Sequence, residues 1–290
     1  MSEHFKKIRN ILIYILILNW AVAFAKVVYG LMTKCASMTA DGVHSLSDGS
    51  SNIVGLAAIY AASKPIDKDH PYGHKKYETF AAIIIAIFLG ILSLDIIERA
   101  IGRFSNPVVP EVNTLSFVIM IATTIVNIIV TKYEYKKGKQ LKSDFLIADS
   151  YHTKADIFVS LSVIGTLVGI KLGLPILDPI VAIIIALVIG HSIIDIFRRS
   201  SGVLCDTAVV ASHEIRDVVM GIKGVKDCHK IRTRGREDDV HVDLHLTVNT
   251  NMHIDKAHEI CDLAEDKIKK SFPGVTDVTV HCEPTTKEER

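Results

Sequence analysis

The stretch Ala40-Asp41-Gly42-Val43-His44-Ser45-Leu46-Ser47-Asp48 and the later stretch Ala148-Asp149-Ser150-Tyr151-His152-Thr153-Lys154-Ala155-Asp156 share one pattern, Ala-Asp-x-x-His-x-x-x-Asp, and each sits beside long apolar runs. On an α-helix of about 3.6 residues per turn, positions i and i+4 lie roughly one turn apart on one face. Each His therefore shares a face with the Asp that follows it. Two such helices facing each other supply two imidazoles and two carboxylates, a donor set that suits tetrahedral zinc. Asp41 and Asp149, three residues before each His, stand where a carboxylate can accept from the imidazole and orient it. One His and one Asp on a helix read equally well as a satisfied polar pair. Two copies in an apolar setting favour a function, because ionisable groups in a bilayer are costly and usually serve one.

The apolar setting is a property of the whole chain. Of its 290 residues 49% are hydrophobic, which places it in the membrane class. A net charge of +1 leaves no basic excess to neutralise phosphates, so nucleic acid is not an expected partner. The cysteines Cys35, Cys205, Cys228, Cys261 and Cys282 are odd in number and form no C-x-x-C pair. Four of them lie in or at the start of the C-terminal polar part, which suits reduced thiols in cytosol better than a disulfide framework, and most read as small buried hydrophobes. Residues 1–10 are polar and basic, and the apolar run after them continues to about Met32, too long for the core of a signal peptide.

Six segments are long enough to cross a hydrocarbon core of about 30 Å: 11–32, 36–62, 80–101, 115–133, 145–172 and 176–197. The second and fifth carry the repeated motif and score as marginal by hydropathy, while Lys26 interrupts the first and Asp95 the third. Lys and Arg concentrate at the N-terminus, after spans two and four, and at the exit of span six. By the positive-inside rule both termini face the cytoplasm.

After Cys205 the pattern becomes that of a small soluble domain. Residues 212–220 read as a helix with Ser212 as N-cap, 225–234 and 240–248 as strands, 252–272 as an amphipathic helix, and 275–282 as a last strand. In 240–248, Val240, Val242, Leu244, Leu246 and Val248 alternate with His241, Asp243, His245 and Thr247. The expected organisation is a six-helix transmembrane domain (1–205), an α+β domain of order α-β-β-α-β (206–284), and a frayed tail (285–290). A domain of about 80 residues gains from metal or oligomerisation.

These residues resemble the cation diffusion facilitator family of divalent-metal transporters, and the similarity covers essentially the whole chain. Three features carry it: the two H-x-x-x-D motifs, the loop Pro65-Ile66-Asp67-Lys68-Asp69-His70-Pro71-Tyr72-Gly73-His74-Lys75-Lys76-Tyr77-Glu78, and the His-bearing α-β-β-α-β tail. The resemblance implies a homodimer in a lipid bilayer, with six membrane helices and a metallochaperone-like cytoplasmic domain, that exports zinc or a related ion by exchange with protons. It implies a transport site of His44, Asp48, His152 and Asp156, where His on both helices is similar to the zinc-preferring branch. A second site maps onto Asp67, His70 and His74, and a binuclear cytoplasmic site onto His229, His245, His258, His281 and Glu283. The last position is often Asp in the family and is Glu283 here; His213, His241 and His253 match no family ligand. Lys76 resembles a family lysine that pairs with an acid at the membrane-domain exit, here Asp206.

The expectation is thus a zinc-carrying secondary transporter, not an enzyme, in a bacterial plasma membrane, with iron, manganese, cadmium or cobalt as other cargoes. Zinc is also expected as a structural ion in the cytoplasmic site. A membrane metalloprotease would want a general base beside the metal, as in H-E-x-x-H, and no such string occurs. A metal sensor that does not transport needs no ligands inside the bilayer.

Overall fold

A computed structural model describes residues 3–32, 36–105, 114–171 and 177–285; for parts of these, including 36–44, 47, 48, 50 and 163–171, the backbone alone is described. The tail 286–290 lies outside the described residues, whereas Thr285 donates its backbone N–H to Val248 O at 2.9 Å. The chain divides into two compact units, Met1–Ser200 and Ser201–Arg290.

Among the described residues the first unit holds six long helices: α1 (Glu3–Met32), α2 (Ala36–Ala62), α3 (Lys76–Ser105), α4 (Thr114–Gln140), α5 (Asp144–Lys171) and α6 (Leu177–Leu204). Proline falls between the helices, at Pro65 and Pro71, or in the first turn, at Pro179 of α6, where its missing N–H removes no helical bond. Four helices, α1, α3, α4 and α6, carry stretches long and apolar enough to cross a membrane. The other two, α2 and α5, carry the repeated polar motif, and for parts of both, 36–44 and 163–171 among them, the backbone alone is described. Outward apolar side chains such as Tyr14, Leu94, Ile129 and Leu187 are exposed, as a surface in contact with lipid requires.

Ile8, Leu12, Ile59, Ile85, Leu89, Phe145 and Leu146 fill the interior, with α1 packed on α2, α4 on α5, and α3 on both α2 and α5. Gly55 lets α2 and α5 approach: a Cβ there would stand 2.2 Å from the Phe145 ring. Polar ties fix the start of α5. The buried Glu78 of α3 accepts hydrogen bonds from Ser143 Oγ and from the Phe145 backbone N–H at 3.4 Å. Asp144 accepts from Thr79 Oγ1 of α3 at 3.3 Å and from Arg199 Nε of α6 at 3.0 Å. The helix that carries His152 and Asp156 is thereby anchored at its first turn.

The second unit contains α7 (Ser212–Met220), β1 (Val225–Arg236), β2 (Asp239–Val248), α8 (Ile254–Ser271) and β3 (Val275–Pro284). The expected α-β-β-α-β order is present. The sheet order is β1-β2-β3, with β1 and β2 antiparallel and β3 parallel to β2, so α8 serves as the crossover between β2 and β3. All five alternating residues Val240, Val242, Leu244, Leu246 and Val248 are buried and pack with Ile215, Val219, Ala264 and Ile268 of the two helices. Two helix starts differ from expectation. Ala211, not Ser212, occupies the N-cap of α7, because Ser212 Oγ donates instead to Ile231 O at 3.3 Å. The second helix starts two residues later than expected because His253 caps α8, its Nδ1 accepting from the Asp255 N–H at 3.3 Å.

Candidate metal centres

His152 and Asp156 of α5 line a small cavity together with Asn19, Val22 and Lys26 of α1, Ser45, Ser51 and Asn52 of α2, Thr123 and Asn127 of α4, and Thr153. His152 is buried, and Lys26 is held by a bond from its Nζ to Ser45 Oγ at 3.1 Å. His44, Asp48 and Asp41 belong to α2, and their side chains lie outside the described residues. The α2 half of the expected transport site is therefore placed by its backbone alone.

Asp149, expected beside His152, is buried and accepts from Ser51 Oγ at 3.0 Å. A second buried carboxyl, Glu134 of α4, accepts from Thr153 Oγ1 at 3.1 Å. Thr153 also meets the Asp149 carbonyl at 3.2 Å. Hydroxyls thus tie α5 to α2 on one side and to α4 on the other, within one turn of His152. Glu134 escaped the sequence reading because it stands one residue past the expected end of span four; an acid at the end of an apolar helix was the available signal.

The loop between α2 and α3 gathers Asp67, His70 and His74. Asp67 Oδ1 lies 3.2 Å from His70 Nδ1 and Asp67 Oδ2 lies 3.2 Å from His74 Nε2, with the two imidazole centroids 4.2 Å apart. The backbone N–H of His70 donates to Asp67 Oδ1 at 2.7 Å and holds that carboxyl below its ordinary range. Gly73, at φ +85°, takes the left-handed turn that returns the chain to His74. His74 is buried against Tyr77, and its Nδ1 has no hydrogen-bond partner. Two nitrogens and a carboxylate are a three-donor set that fits a divalent ion and leaves a position open.

On the sheet, register makes the second cluster. His229 of β1 pairs with His245 of β2, which pairs with His281 of β3, so three imidazoles form a row across three strands. Glu283, two residues beyond His281 on β3, accepts from both sides: its Oε1 is 2.6 Å from His245 Nδ1 and its Oε2 is 3.1 Å from His229 Nε2. The His245 bond is the main cause that holds the Glu283 carboxyl below its ordinary range. Candidate ligand atoms of His229, His245 and Glu283 lie within 4.8 Å of one another. His281 is at the margin, its Nε2 3.5 Å from Glu283 Oε1, and it is 65% exposed. The exposed His258 stands on α8, 3.8 Å from Asp262, and is outside this group. His241 lies instead between Asp239 and Asp277. Lys76 opens α3 in the first unit, and Asp206, at φ +55°, lies in the second.

Residues 12–205 match the family model described as the cation efflux transmembrane domain, and residues 210–285 match that of the cation efflux protein cytoplasmic domain. The chain belongs to this cation efflux, or cation diffusion facilitator, family. It is an integral, multi-pass membrane transporter that moves divalent metal cations outward. A manganese efflux system protein of Bacillus subtilis, MneP, is 31% identical over 99% of both chains. An uncharacterized transporter of Methanocaldococcus jannaschii is 30% identical over 96% of this chain and 99% of its own. The cation-efflux pump FieF of Shewanella oneidensis is 28% identical over 91% of this chain and 89% of its own.

Proposed function

We propose that this cation efflux protein is a metal/proton antiporter whose cargo binds at His44, Asp48, His152 and Asp156. The observation that carries the reading is the buried His152 beside Asp156 in a polar cavity between α1, α2, α4 and α5. Two carboxylates cancel the charge of a divalent ion, so the loaded site avoids much of the cost of a bare ion in low dielectric. Without the ion, the same carboxylates repel, and imidazole changes charge between about pH 5 and 8. Protons and metal therefore compete for one set of atoms, and this competition couples the flows. Alternating access then exposes the site to one face at a time.

Two cargoes have specific support. Manganese is favoured by the relative named for manganese efflux that aligns over 99% of both chains, and by the amide and hydroxyl oxygens that line the cavity. Zinc is favoured by the histidine in each copy of the motif, since paired imidazole and carboxylate donors complete a tetrahedron. The loop cluster and the sheet cluster bind further ions that stabilise the protein. The second unit holds two copies together as a homodimer in a bacterial plasma membrane, with both termini cytoplasmic. Purified chain in liposomes, loaded with a pH-sensitive dye, tests the antiport: an inward manganese or zinc gradient should drive protons out. Cation entry with no pH change in the lumen would remove the antiport reading.

A further inference from the structure

The cavity that holds His152 and Asp156 also holds an amide with a defined orientation. Asn52 stands on α2 one turn after Asp48 and is 2% exposed. Its Nδ2 donates to Ser51 Oγ at 3.4 Å, and Ser51 Oγ in turn donates to Asp149 Oδ1 at 3.0 Å. This chain of bonds directs the amide nitrogen toward Ser51, and Asn52 Oδ1 has no hydrogen-bond partner. A buried carbonyl oxygen is normally satisfied, and an oxygen left over beside a carboxylate and an imidazole is a donor for a cation.

We propose that Asn52 Oδ1 is a ligand of the cation that passes through this cavity and that it favours a hard, six-coordinate ion such as manganese over zinc. The inference rests on the reading of His152 and Asp156 as transport-site ligands. Two imidazoles and two carboxylates already complete a tetrahedron, which is all that zinc asks. An octahedral ion needs two more donors, and ions of this kind take carboxylate, carbonyl and water oxygens. A neutral amide adds one such oxygen without adding charge to a buried site. Ser51 and Asp149 hold it in place, much as outer partners orient ligands at other metal sites.

The test is initial-rate flux in liposomes made with the full chain and an internal metal-sensitive dye, with manganese and zinc measured separately. Asn52→Leu should raise the manganese KM by about tenfold or more, as loss of a ligand-supporting group does at other sites, and leave the zinc KM unchanged. Asn52→Asp, which keeps an oxygen, should retain manganese transport. Asn52→Ala, smaller and without a donor, serves if the leucine variant does not yield monodisperse protein, with the same expected loss for manganese. Overlapping manganese curves for wild type and these variants would overturn the inference, as would equal losses for manganese and zinc, which mark a packing role. Loss of all flux in Asp156→Asn with Asn52 variants like wild type overturns this inference alone. An Asp156→Asn chain as active as wild type overturns the transport-site reading and this inference with it.

Discussion

Ser51 on α2 donates a hydrogen bond across 3.0 Å to Asp149 on α5, and both side chains are buried. The bond joins the two helices that carry the repeated motif, one turn from His152, so the register between them is set by a polar contact and not by apolar packing alone. Removing the hydroxyl leaves a carboxylate oxygen buried without its donor. Ser51→Ala should therefore cost about 1–3 kcal/mol of stability, with Ser51→Thr, which keeps the hydroxyl, closer to wild type. Thermal unfolding of the detergent-solubilised protein, followed by size-exclusion chromatography, checks this; equal midpoints for Ser51→Ala and wild type would show that the bond contributes nothing.

Gly55 should tolerate no side chain. A Cβ would stand 2.2 Å from the Phe145 ring, which is fully buried and has little room to move. Gly55→Ala should destabilise the membrane unit by about 1–3 kcal/mol through overpacking. Gly55→Ala combined with Phe145→Leu, which frees the space, should recover part of the loss in the same unfolding assay. A single Ala variant as stable as wild type would mean that the two helices part readily.

In the second unit, Glu283 bridges His229 and His245, and its carboxyl is held below the ordinary range chiefly by the His245 bond. The sign follows from the depression: the stabilising contribution is present above the ordinary carboxylate pKa and is lost as pH falls through the lower folded value. Glu283→Gln should therefore flatten the acid limb of the stability profile of the full chain and reduce the rise in unfolding temperature that added zinc or manganese produces. Wild-type and Glu283→Gln chains with the same acid limb and the same metal response would exclude a metal role for the cluster.

Two thiols, the buried Cys228 and the half-buried Cys261, give a further check on the packing of this unit. Burial pushes Cys228 up to about 11 and Cys261 up to about 12. Because the thiolate is the reactive form, alkylation of Cys228 at pH 8 should be about a hundredfold slower in the folded chain than in urea, for a shift of about two pH units. The same shifts predict that stability falls as pH rises above about 9, where the unfolded chain's thiols ionise first. Peptide mass spectrometry after timed alkylation reads both cysteines, and equal rates for Cys228 in folded and unfolded chain would contradict its buried placement.

Much of this architecture was legible because it depends on period and spacing. The alternation from Val240 to Val248 marks β2, and the i, i+4 spacing of His152 and Asp156 puts both on the cavity side of α5. The Asp67, His70 and His74 spacing foreshadows a loop that does gather the three side chains. What escaped depends on contacts between distant segments. Ser51, Asn52, Thr153 and Glu134 carry no periodic signal, and their roles appear only when α2 and α4 are set against α5. Glu283 stands two residues from His281 in the sequence, yet its short bonds go to His245 and His229. That choice comes from strand register, which spacing within one strand does not reveal. The choice of Ala211 over Ser212 as cap likewise follows from Ile231 on a neighbouring strand.

The proposed path of the cation runs by way of His152 and Asp156. Its most direct test is manganese and zinc flux into liposomes containing wild-type chain or the Asp156→Asn variant, with equal protein incorporation confirmed by quantitative blotting. Asparagine keeps the shape but removes one of the charges that offset the ion, so the rate should fall by about a hundredfold or more for both ions, the cost of about 3 kcal/mol in the barrier. Flux from Asp156→Asn equal to that of wild type would mean that the cation takes another path.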